Sequence, residues 1–396
     1  MKPSPRLIPR LNVEFGVDDL FHALHRDDAT GKLSDSVHRW WPGYGPLFVD
    51  SGRTALFLSL RAFGLGRGDR VGVPLYTCEA VFRAIAKAGC TPVFLDIDPR
   101  TYTLDPAGVR TKTNDLDAVI PIHVFGQPAD VESLRIGDRQ VRVIEDCAHA
   151  LGTQVSGQMA GSKGDASFFS FRLGKVVSAG STGMLLVRDR TIFESAREMW
   201  AGLPRAGSFA ITADALSSFG RAALYRRPWF GLFALPVGSV VDARLDLMEK
   251  FGFDPQQANP GALRVLARRL QDLESRIKAA RRNASVFRTA TESAGLEPPF
   301  EAPWGQHSYF QFAIRFSTAS ARDRAMADLA ARGVDSIRFY HNSAGLAARG
   351  YGYEPGTCPT AEAIAQTVLT VPCHGRLTSD DVETIASALE NLGDKP

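Results

Sequence analysis

Four residues that could together bind and activate a cofactor lie in one stretch of the chain, from Val143 to Gly183. Asp146 ends one apolar run, His149 follows it, Ser170 lies in FFSF, and Lys175 comes shortly after. A lysine can form a Schiff base with pyridoxal phosphate (PLP). A carboxylate can keep the pyridine nitrogen protonated, so that the ring acts as an electron sink. The stretch therefore predicts a PLP enzyme in which Lys175 and Asp146 are the catalytic pair.

Each of these residues also has a simpler interpretation. Asp146 lies at the carboxyl end of a predicted strand, where α/β sheets bind ligands, but an aspartate there could merely cap the next helix. A lone lysine is usually solvated, although partial burial of Lys175 would lower its pKa and favour Schiff-base chemistry. Ser170 could bind a phosphate or be a small buried residue. His149 could contact the cofactor ring or be a hydrogen-bonded core histidine.

A second candidate segment is Ser51-Gly52-Arg53-Thr54, between an apolar run and a predicted helix. Free backbone N–H groups at a helix start suit a phosphate, so Gly52, Arg53 and Thr54 are candidate phosphate ligands. The alternative is a plain N-cap. No GxGxxG or Walker pattern accompanies the segment.

Composition sets only broad limits. The chain has 396 residues, a net charge of +3, 44% hydrophobic and 22% charged residues, which is typical of a globular protein. The charge is too small, and the basic residues too scattered, to favour nucleic-acid binding. Five cysteines without a CxxC predict neither a disulfide framework nor a metal site. The N-terminus lacks the apolar core of a signal peptide, so a cytoplasmic location is expected.

Predicted strands and helices alternate along the first two thirds of the chain, which indicates an α/β fold with a mostly parallel sheet. The predicted strands are Arg70–Val73, Thr91–Leu95, Ala118–Ile122, Arg142–Ile144, Phe168–Phe171 and Met184–Val187. Beyond Pro260 the pattern changes to a long amphipathic helix (Leu263–Arg288), a strand and two further helices. We therefore expect a large PLP-binding domain over residues 1–260 and a smaller C-terminal α+β domain over 261–396.

An apolar, aromatic segment, residues 216–241, has Arg226, Arg227 and Pro228 near its centre. Its uncharged run is too short to span a bilayer, and Pro228 would interrupt a helix. The first interpretation is a partly buried insertion or a subunit contact. The alternative is a membrane-surface patch or a pocket for a lipid-linked substrate.

The chain resembles the DegT/DnrJ/EryC1/StrS family of PLP-dependent sugar aminotransferases from about Leu47 to the C-terminus. The resemblance rests on SGRTAL (51–56), VPLYTCEAV (73–81), PVFLDIDPRTYTLDP (92–106), PIHVFGQPADVESL (121–134), VIEDCAHALGT (143–153), GSKGDASFFSFRLGK (161–175) and VLTVPCHGRLTSDDVETI (368–385). It implies the aspartate aminotransferase (type I) fold and a homodimer with shared active sites. The implied reaction transfers an amino group, with glutamate as the expected donor, to a keto sugar that is usually nucleotide-activated.

The resemblance also implies roles for individual residues. Lys175 would form the Schiff base and move the proton, Asp146 would bind the pyridine nitrogen, and His149 would face the ring hydroxyl. Ser170 and the amides of Arg53 and Thr54 would hold the phosphate. Five residues are expected on the substrate side or near the mouth of the site: His123, Tyr76, Arg338, Tyr340 and His341.

Two departures from the family pattern stand out. The residue after the threonine of the P-x-x-T motif is usually aromatic and packs on the cofactor ring. Here it is Cys78, with Tyr76 as a neighbour that could replace the aromatic ring. The asparagine that the family lends to the neighbouring subunit's phosphate site is also missing, and Asn259 or Gln257 could substitute for it. The missing phosphate-site motif leaves open a PLP-binding regulator without activity. The apolar segment 216–241 leaves open an aminotransferase that acts on a non-sugar or lipid-linked ketone.

Overall fold

The computed structural model of the protein describes residues 4–25, 29–135, 141–236 and 253–392, and the account below concerns these residues. In chain order the strands are β1 (Gly45–Val49), β2 (Arg70–Pro74), β3 (Thr91–Leu95), β4 (Ala118–Val119), β5 (Arg142–Asp146), β6 (Gln154–Val155), β7 (Gln158–Met159), β8 (Ala166–Ser170), β9 (Gly183–Val187), β10 (Gly305–Gln306), β11 (Gln311–Arg315) and β12 (Val368–Pro372).

The helices are α1 (Val17–Leu24), α2 (Ala29–Trp40), α3 (Gly52–Ala62), α4 (Glu79–Lys87), α5 (Pro106–Lys112), α6 (Arg190–Ala201), α7 (Ser208–Leu224), α8 (Pro260–Leu270), α9 (Leu273–Ser293), α10 (Ala319–Ala331), α11 (Ser343–Gly350), α12 (Pro359–Thr367) and α13 (Ser379–Glu390). Short 3-10 turns cover Thr113–Asp115, Val124–Gly126 and Glu132–Leu134, and a π-helical turn covers Phe230–Ala234.

A seven-stranded sheet with the order β1-β9-β8-β5-β4-β2-β3 forms the centre of the fold. Neighbouring strands are parallel except at β9, which is antiparallel to both β1 and β8. The predicted α/β class with a mostly parallel sheet is confirmed. Strand β4 is shorter than predicted because Pro121 has no amide hydrogen to continue the ladder, and bridging resumes at Ile122, which faces Asp146.

The predicted helix Leu263–Arg288 is in fact two helices, α8 and α9, separated by a turn at Gln271 and Asp272. Helix α8 packs on α1, α2 and α7, whereas α9 packs on α13. Helix α8 therefore packs in the large core only, whereas α9 extends from the large core to the C-terminal core.

The change from the large core to the C-terminal core takes place inside α9. Ile277 packs with the large core, and Ala280 packs with the C-terminal core. Ile8 also belongs to the C-terminal core, where it bridges Val334. The cores thus differ from the predicted division at residues 260 and 261, because the N-terminal segment crosses over to the C-terminal part.

The arginines of α8 and α9 hold the N-terminal segment in place. Arg269, 3% exposed, lies 2.6 Å from Asp19 and 2.9 Å from Glu14. Arg276 lies 2.7 Å from Glu14 as well, and Arg264 donates to the backbone carbonyls of α1. The arginines of this region therefore form ion pairs and hydrogen bonds within the protein.

The apolar segment is described up to Pro236, and residues 237–241 of it lie outside the described residues. Helix α7 ends before Pro228, as predicted. The segment is anchored by Phe230, 1% exposed, and by Arg227, which lies 2.6 Å from Asp381. Five side chains around it are at least half exposed and define an apolar face: Phe209, Leu216, Leu224, Trp229 and Phe233. None of the helices in the described part of the chain is long and apolar enough to cross a bilayer.

Candidate active site

The carboxyl ends of β2, β5 and β8 and the start of α3 surround a cavity of about 300 Å³. The parallel strands end at the same edge of the sheet, which is why residues distant in sequence meet there. The predicted site residues that line this cavity are Lys175, Asp146, His149, Ser170, Gly52, Arg53 and Cys78. Thr77, Arg172 and Tyr340 also line it.

Asp146 is the last residue of β5 and is 5% exposed. No helix follows directly. Its Oδ1 instead accepts a hydrogen bond of 2.8 Å from the amide of Ala148, which fixes the carboxylate in a local turn. Burial raises the pKa of Asp146 to about 6, against the opposing effects of the Ala148 hydrogen bond and the charge of Lys175. A cationic partner for this carboxylate would relieve the cost of its burial.

Lys175 lies in the loop between β8 and β9, directly after Gly174, whose φ of 89° suits glycine. Its backbone amide donates to the carbonyl of Arg172, and its Nζ lies 5.7 Å from the ring centroid of Phe310. Burial lowers the pKa of Lys175, whereas Asp146 partly restores it. A lowered pKa increases the fraction of free amine, which is the nucleophilic form.

The loop that carries Lys175 is tied to α7 and to the N-terminal segment. Ser178 accepts from the amide of Gly174 at 3.0 Å and donates to the carbonyl of Asn12 at 3.2 Å. Further along the loop, Ser181 donates to Asp214 of α7 at 2.7 Å. These bonds hold the lysine in a defined position.

His149 stacks on Phe310, with ring centroids 4.3 Å apart, and lines the cavity. Its Nδ1 accepts from the amide of Phe125 at 3.4 Å, so the proton of a neutral ring lies on Nε2, 3.5 Å from the hydroxyl of Tyr340. Burial, followed by the charge of Lys175, lowers the pKa of His149 well below its usual value. The ring is therefore a neutral donor at physiological pH.

One end of the cavity is formed by the start of α3 and by Ser170. A Cβ on Gly52 would lie 3.3 Å from the Cβ of Ser170, so glycine allows the helix start to approach the strand closely. The Ser51 side chain accepts from the amide of Thr54 at 3.3 Å. The N–H groups of Gly52 and Arg53 and the hydroxyl of Ser170 are the donors expected of a phosphate site.

Thr54 does not line the cavity, which corrects the prediction that its amide binds a phosphate. The amide is occupied by the Ser51 cap, and the Thr54 hydroxyl donates to Asp50 at 2.5 Å. For Thr54 the plain N-cap interpretation holds, because Ser51 takes the cap position one residue before the helix.

His123 and Tyr76 lie behind the cavity wall instead of facing the cavity. His123 is fully buried, with Nε2 donating to Glu145 at 2.9 Å and Nδ1 accepting from the amide of Ala129 at 3.0 Å. Tyr76 is 1% exposed, and its ring meets that of Tyr340 edge-on at 5.4 Å. The predicted placement of both residues at the site is wrong because their side chains turn into the core.

Arg338 and His341 also lie off the cavity. Arg338 lies 3.6 Å from Asp323, and His341 is exposed, with its Nδ1 at 3.0 Å from the carbonyl of Arg338. Tyr340, between them, has a left-handed φ of 57° and is the residue of this loop that lines the cavity. It provides an aromatic ring in the cavity wall that also contains Cys78.

Asn259 and Gln257 are both committed to partners in their own chain. Asn259 caps α8 by accepting from the amide of Gly261 at 2.8 Å, and it donates to Asp214 at 3.0 Å. Gln257 donates to the carbonyl of Trp200 at 3.1 Å and accepts from Arg205. Both side chains therefore already have hydrogen-bond partners within their own chain.

Glu145 is a buried carboxylate that accepts hydrogen bonds from several segments, a role that the sequence analysis did not predict. Its carboxylate lies near His123 and Cys147, with ligand atoms within 4.8 Å of one another. The two oxygens already accept from His123 and from the amides of Gly161, Lys163 and Gly164. The hydrogen bonds account for this buried carboxylate without a metal ion.

The sequence profile of the DegT/DnrJ/EryC1/StrS aminotransferase family matches residues 46–390. The chain belongs to this family. Members of the family depend on PLP, and the chain is accordingly a PLP-dependent aminotransferase. The cavity contains what the cofactor requires: a lysine amine, a buried carboxylate, a neutral histidine and a set of phosphate donors.

Known members of the family include enzymes of sugar metabolism. The UDP-N-acetyl-3-dehydro-alpha-D-glucosamine 3-aminotransferase of Acidithiobacillus ferrooxidans is 32% identical over 345 residues, covering 86% of this chain and 82% of the relative. The GDP-perosamine synthase of Caulobacter vibrioides is 28% identical over 350 residues, covering 87% of this chain and 84% of the relative. The Streptococcus pneumoniae protein Spr1654, solved in its PLP form, is 19% identical with a TM-score of 0.75 over 98% of each chain, and it shares the fold.

Proposed function

We propose that the protein transfers an amino group from glutamate to the ketone of a nucleotide-activated keto sugar. The observation that carries the proposal is the convergence of Lys175 and Asp146 on one cavity in a chain of this family. The names of two relatives, which refer to a UDP-linked and a GDP-linked sugar, support the acceptor class.

In this proposal each residue of the cavity has a defined task. When bound, PLP supplies an electron sink for the bond that is broken next to the amino group. Lys175 would be the base that takes the proton from the donor's α-carbon and the acid that returns it, since its lowered pKa makes the amine available. Asp146 would pair with the protonated ring nitrogen of the cofactor, and His149, with its proton on Nε2, would donate toward the ring hydroxyl.

The acceptor class can be tested by product analysis. The holoenzyme, loaded with glutamate, is offered UDP-, GDP- and dTDP-linked keto sugars, and amino sugar is measured by mass spectrometry. A matched reaction with Lys175→Ala controls for non-enzymatic amination. Formation of an amino sugar with at least one nucleotide, and none with the variant, supports the proposal. A wild type that aminates only simple keto acids would contradict it.

We further propose that the enzyme works in the cytoplasm as a homodimer, with the apolar face as a candidate subunit contact. The half-exposed aromatic and leucine side chains of this face favour burial against a second copy. Light scattering of the wild type and of a Leu216→Glu/Phe233→Glu variant tests this. A dimer that dissociates in the variant supports the contact. An unchanged mass, together with flotation of the wild type on liposomes, would favour the membrane-surface alternative.

A further inference from the structure

Two arginines line the cavity at its phosphate end, where α3 begins and β8 ends. Arg53 is the second residue of α3, and Arg172 follows Ser170 by two residues. Among the described residues neither guanidinium has an ion pair with a carboxylate or a hydrogen bond to one. Arginines at such a site usually serve bidentate recognition of an anion.

The surroundings of Arg53 keep its charge directed to the cavity. Its guanidinium lies 5.3 Å from the ring centroid of Phe253, a contact that orients the side chain. Asp50 is the nearest acid, but its carboxylate is bonded to the Thr54 hydroxyl and to the amide of Gln256. Burial and the charge of Arg172 lower the pKa of Arg53, so the two guanidinium groups are close enough to repel each other.

The Ser170 hydroxyl and the backbone amides at this end of the cavity carry no net charge, so they cannot neutralise a bound anion. A phosphate dianion would receive hydrogen bonds from the Gly52 and Arg53 amides and from Ser170, all of them uncharged donors. Asn259 and Gln257, the residues that could have reached out to a neighbouring site, are bonded within their own chain. Apart from Lys175, the cationic side chains that line the cavity in the described part of the chain are Arg53 and Arg172.

We propose that Arg53 and Arg172 together bind the phosphate group of PLP, so that the same chain supplies the cationic side of the phosphate site. The anion would relieve the repulsion between the two guanidinium groups and would lie across the start of α3. The proposal rests on PLP dependence and does not require a sugar acceptor.

The test compares PLP with pyridoxal, which lacks the phosphate. Apoprotein is titrated with each compound, and the dissociation constants are measured by tryptophan fluorescence for the wild type, Arg53→Met, Arg172→Met and the double variant. A charge-assisted hydrogen bond is worth about 1.5–3 kcal/mol, so each single change should weaken PLP about 10- to 100-fold. The constant for pyridoxal should stay within about twofold. Arg282→Met, on the exposed side of α9, is the matched control.

Competition by inorganic phosphate provides a second measurement. Phosphate should displace PLP from the wild type and should lose most of this effect in the double variant. Arg172 is exposed, so Arg172→Met should fold even if Arg53→Met does not, and circular dichroism establishes this. Equal weakening of PLP and pyridoxal would overturn the proposal, as would unchanged PLP affinity with a raised KM for glutamate or the nucleotide sugar. A wild type that binds PLP but aminates no keto sugar would contradict only the proposed function.

Discussion

Replacing Asp146 by asparagine should stabilise the cofactor-free protein in a manner that depends on pH. The Asp146 carboxylate is 5% exposed, and its burial raises the pKa from 3.8 to about 6. At about 1.4 kcal/mol per pH unit, this rise corresponds to about 3 kcal/mol. The cofactor-free fold bears this cost whenever Asp146 is ionised.

The sign follows from the two protonation states. Below pH 3.8 the carboxyl is protonated in both the folded and the unfolded protein, and burial of charge costs nothing. Between pH 3.8 and 6 the unfolded chain releases its proton first, so the free energy of unfolding falls as pH rises. Above about pH 6 the loss is complete and constant. Asparagine removes this titration and keeps an oxygen that can accept from the Ala148 amide.

Urea unfolding of apoprotein at intervals from pH 4 to pH 8 measures the effect. The free energy of unfolding of Asp146→Asn minus that of the wild type should rise by about 2.4 kcal/mol between pH 4 and pH 7, mostly below pH 6. Asp254→Asn, at a site that is 87% exposed, should show no such change. Saturation with PLP should favour the wild type, because only the carboxylate pairs with a protonated ring nitrogen. A difference between variant and wild type that does not vary with pH would refute the reasoning.

Three further predictions concern the surroundings of the cavity. Glu145→Ala should lower the free energy of unfolding by about 3–5 kcal/mol in urea titrations, because it leaves buried donors without an acceptor; a loss below 1 kcal/mol would contradict this role. Gly152→Ala should lower the Tm, since the new Cβ would lie 1.8 Å from Cδ1 of Ile277, and a second change, Ile277→Ala, should recover part of the loss. The His149 ring should stay neutral, with its proton on Nε2, from pH 6 to 8 in nitrogen NMR spectra of the apoprotein, because burial lowers its pKa; a titration in that range would contradict the assignment.

The sequence was sufficient for the parts of the fold that local patterns specify. Short β-branched runs ended by turn residues predicted β3 at its observed bounds, and the motif around Lys175 predicted which loop would face the sheet edge. The position of Asp146 could be predicted because the carboxyl ends of parallel strands lie at the edge of the sheet where ligands bind. These inferences need no knowledge of distant contacts.

Other features depend on contacts between segments far apart in the chain. The break between α8 and α9 lies at Gln271 and Asp272, between residues that pack in the same large core, and no proline or glycine marks it. The resemblance placed His123 near the mouth of the site, but its Nε2 donates to the buried carboxylate of Glu145. Arg172 lies two residues after Ser170 in the motif of residues 161–175. Its proximity to Arg53 became evident only from the structure, in which both arginines line the cavity between β8 and α3.

The visible spectrum of the purified protein with PLP tests the central claim most directly. Wild type and Lys175→Ala are compared before and after glutamate is added. The account predicts a visible band from lysine-bound cofactor in the wild type, its bleaching to the near-ultraviolet band of the aminated cofactor by glutamate, and no such band in the variant. A wild-type band that no amino donor alters, or a Lys175→Ala protein with the same spectrum and response as the wild type, would contradict the assignment of Lys175 as the group that carries the reaction.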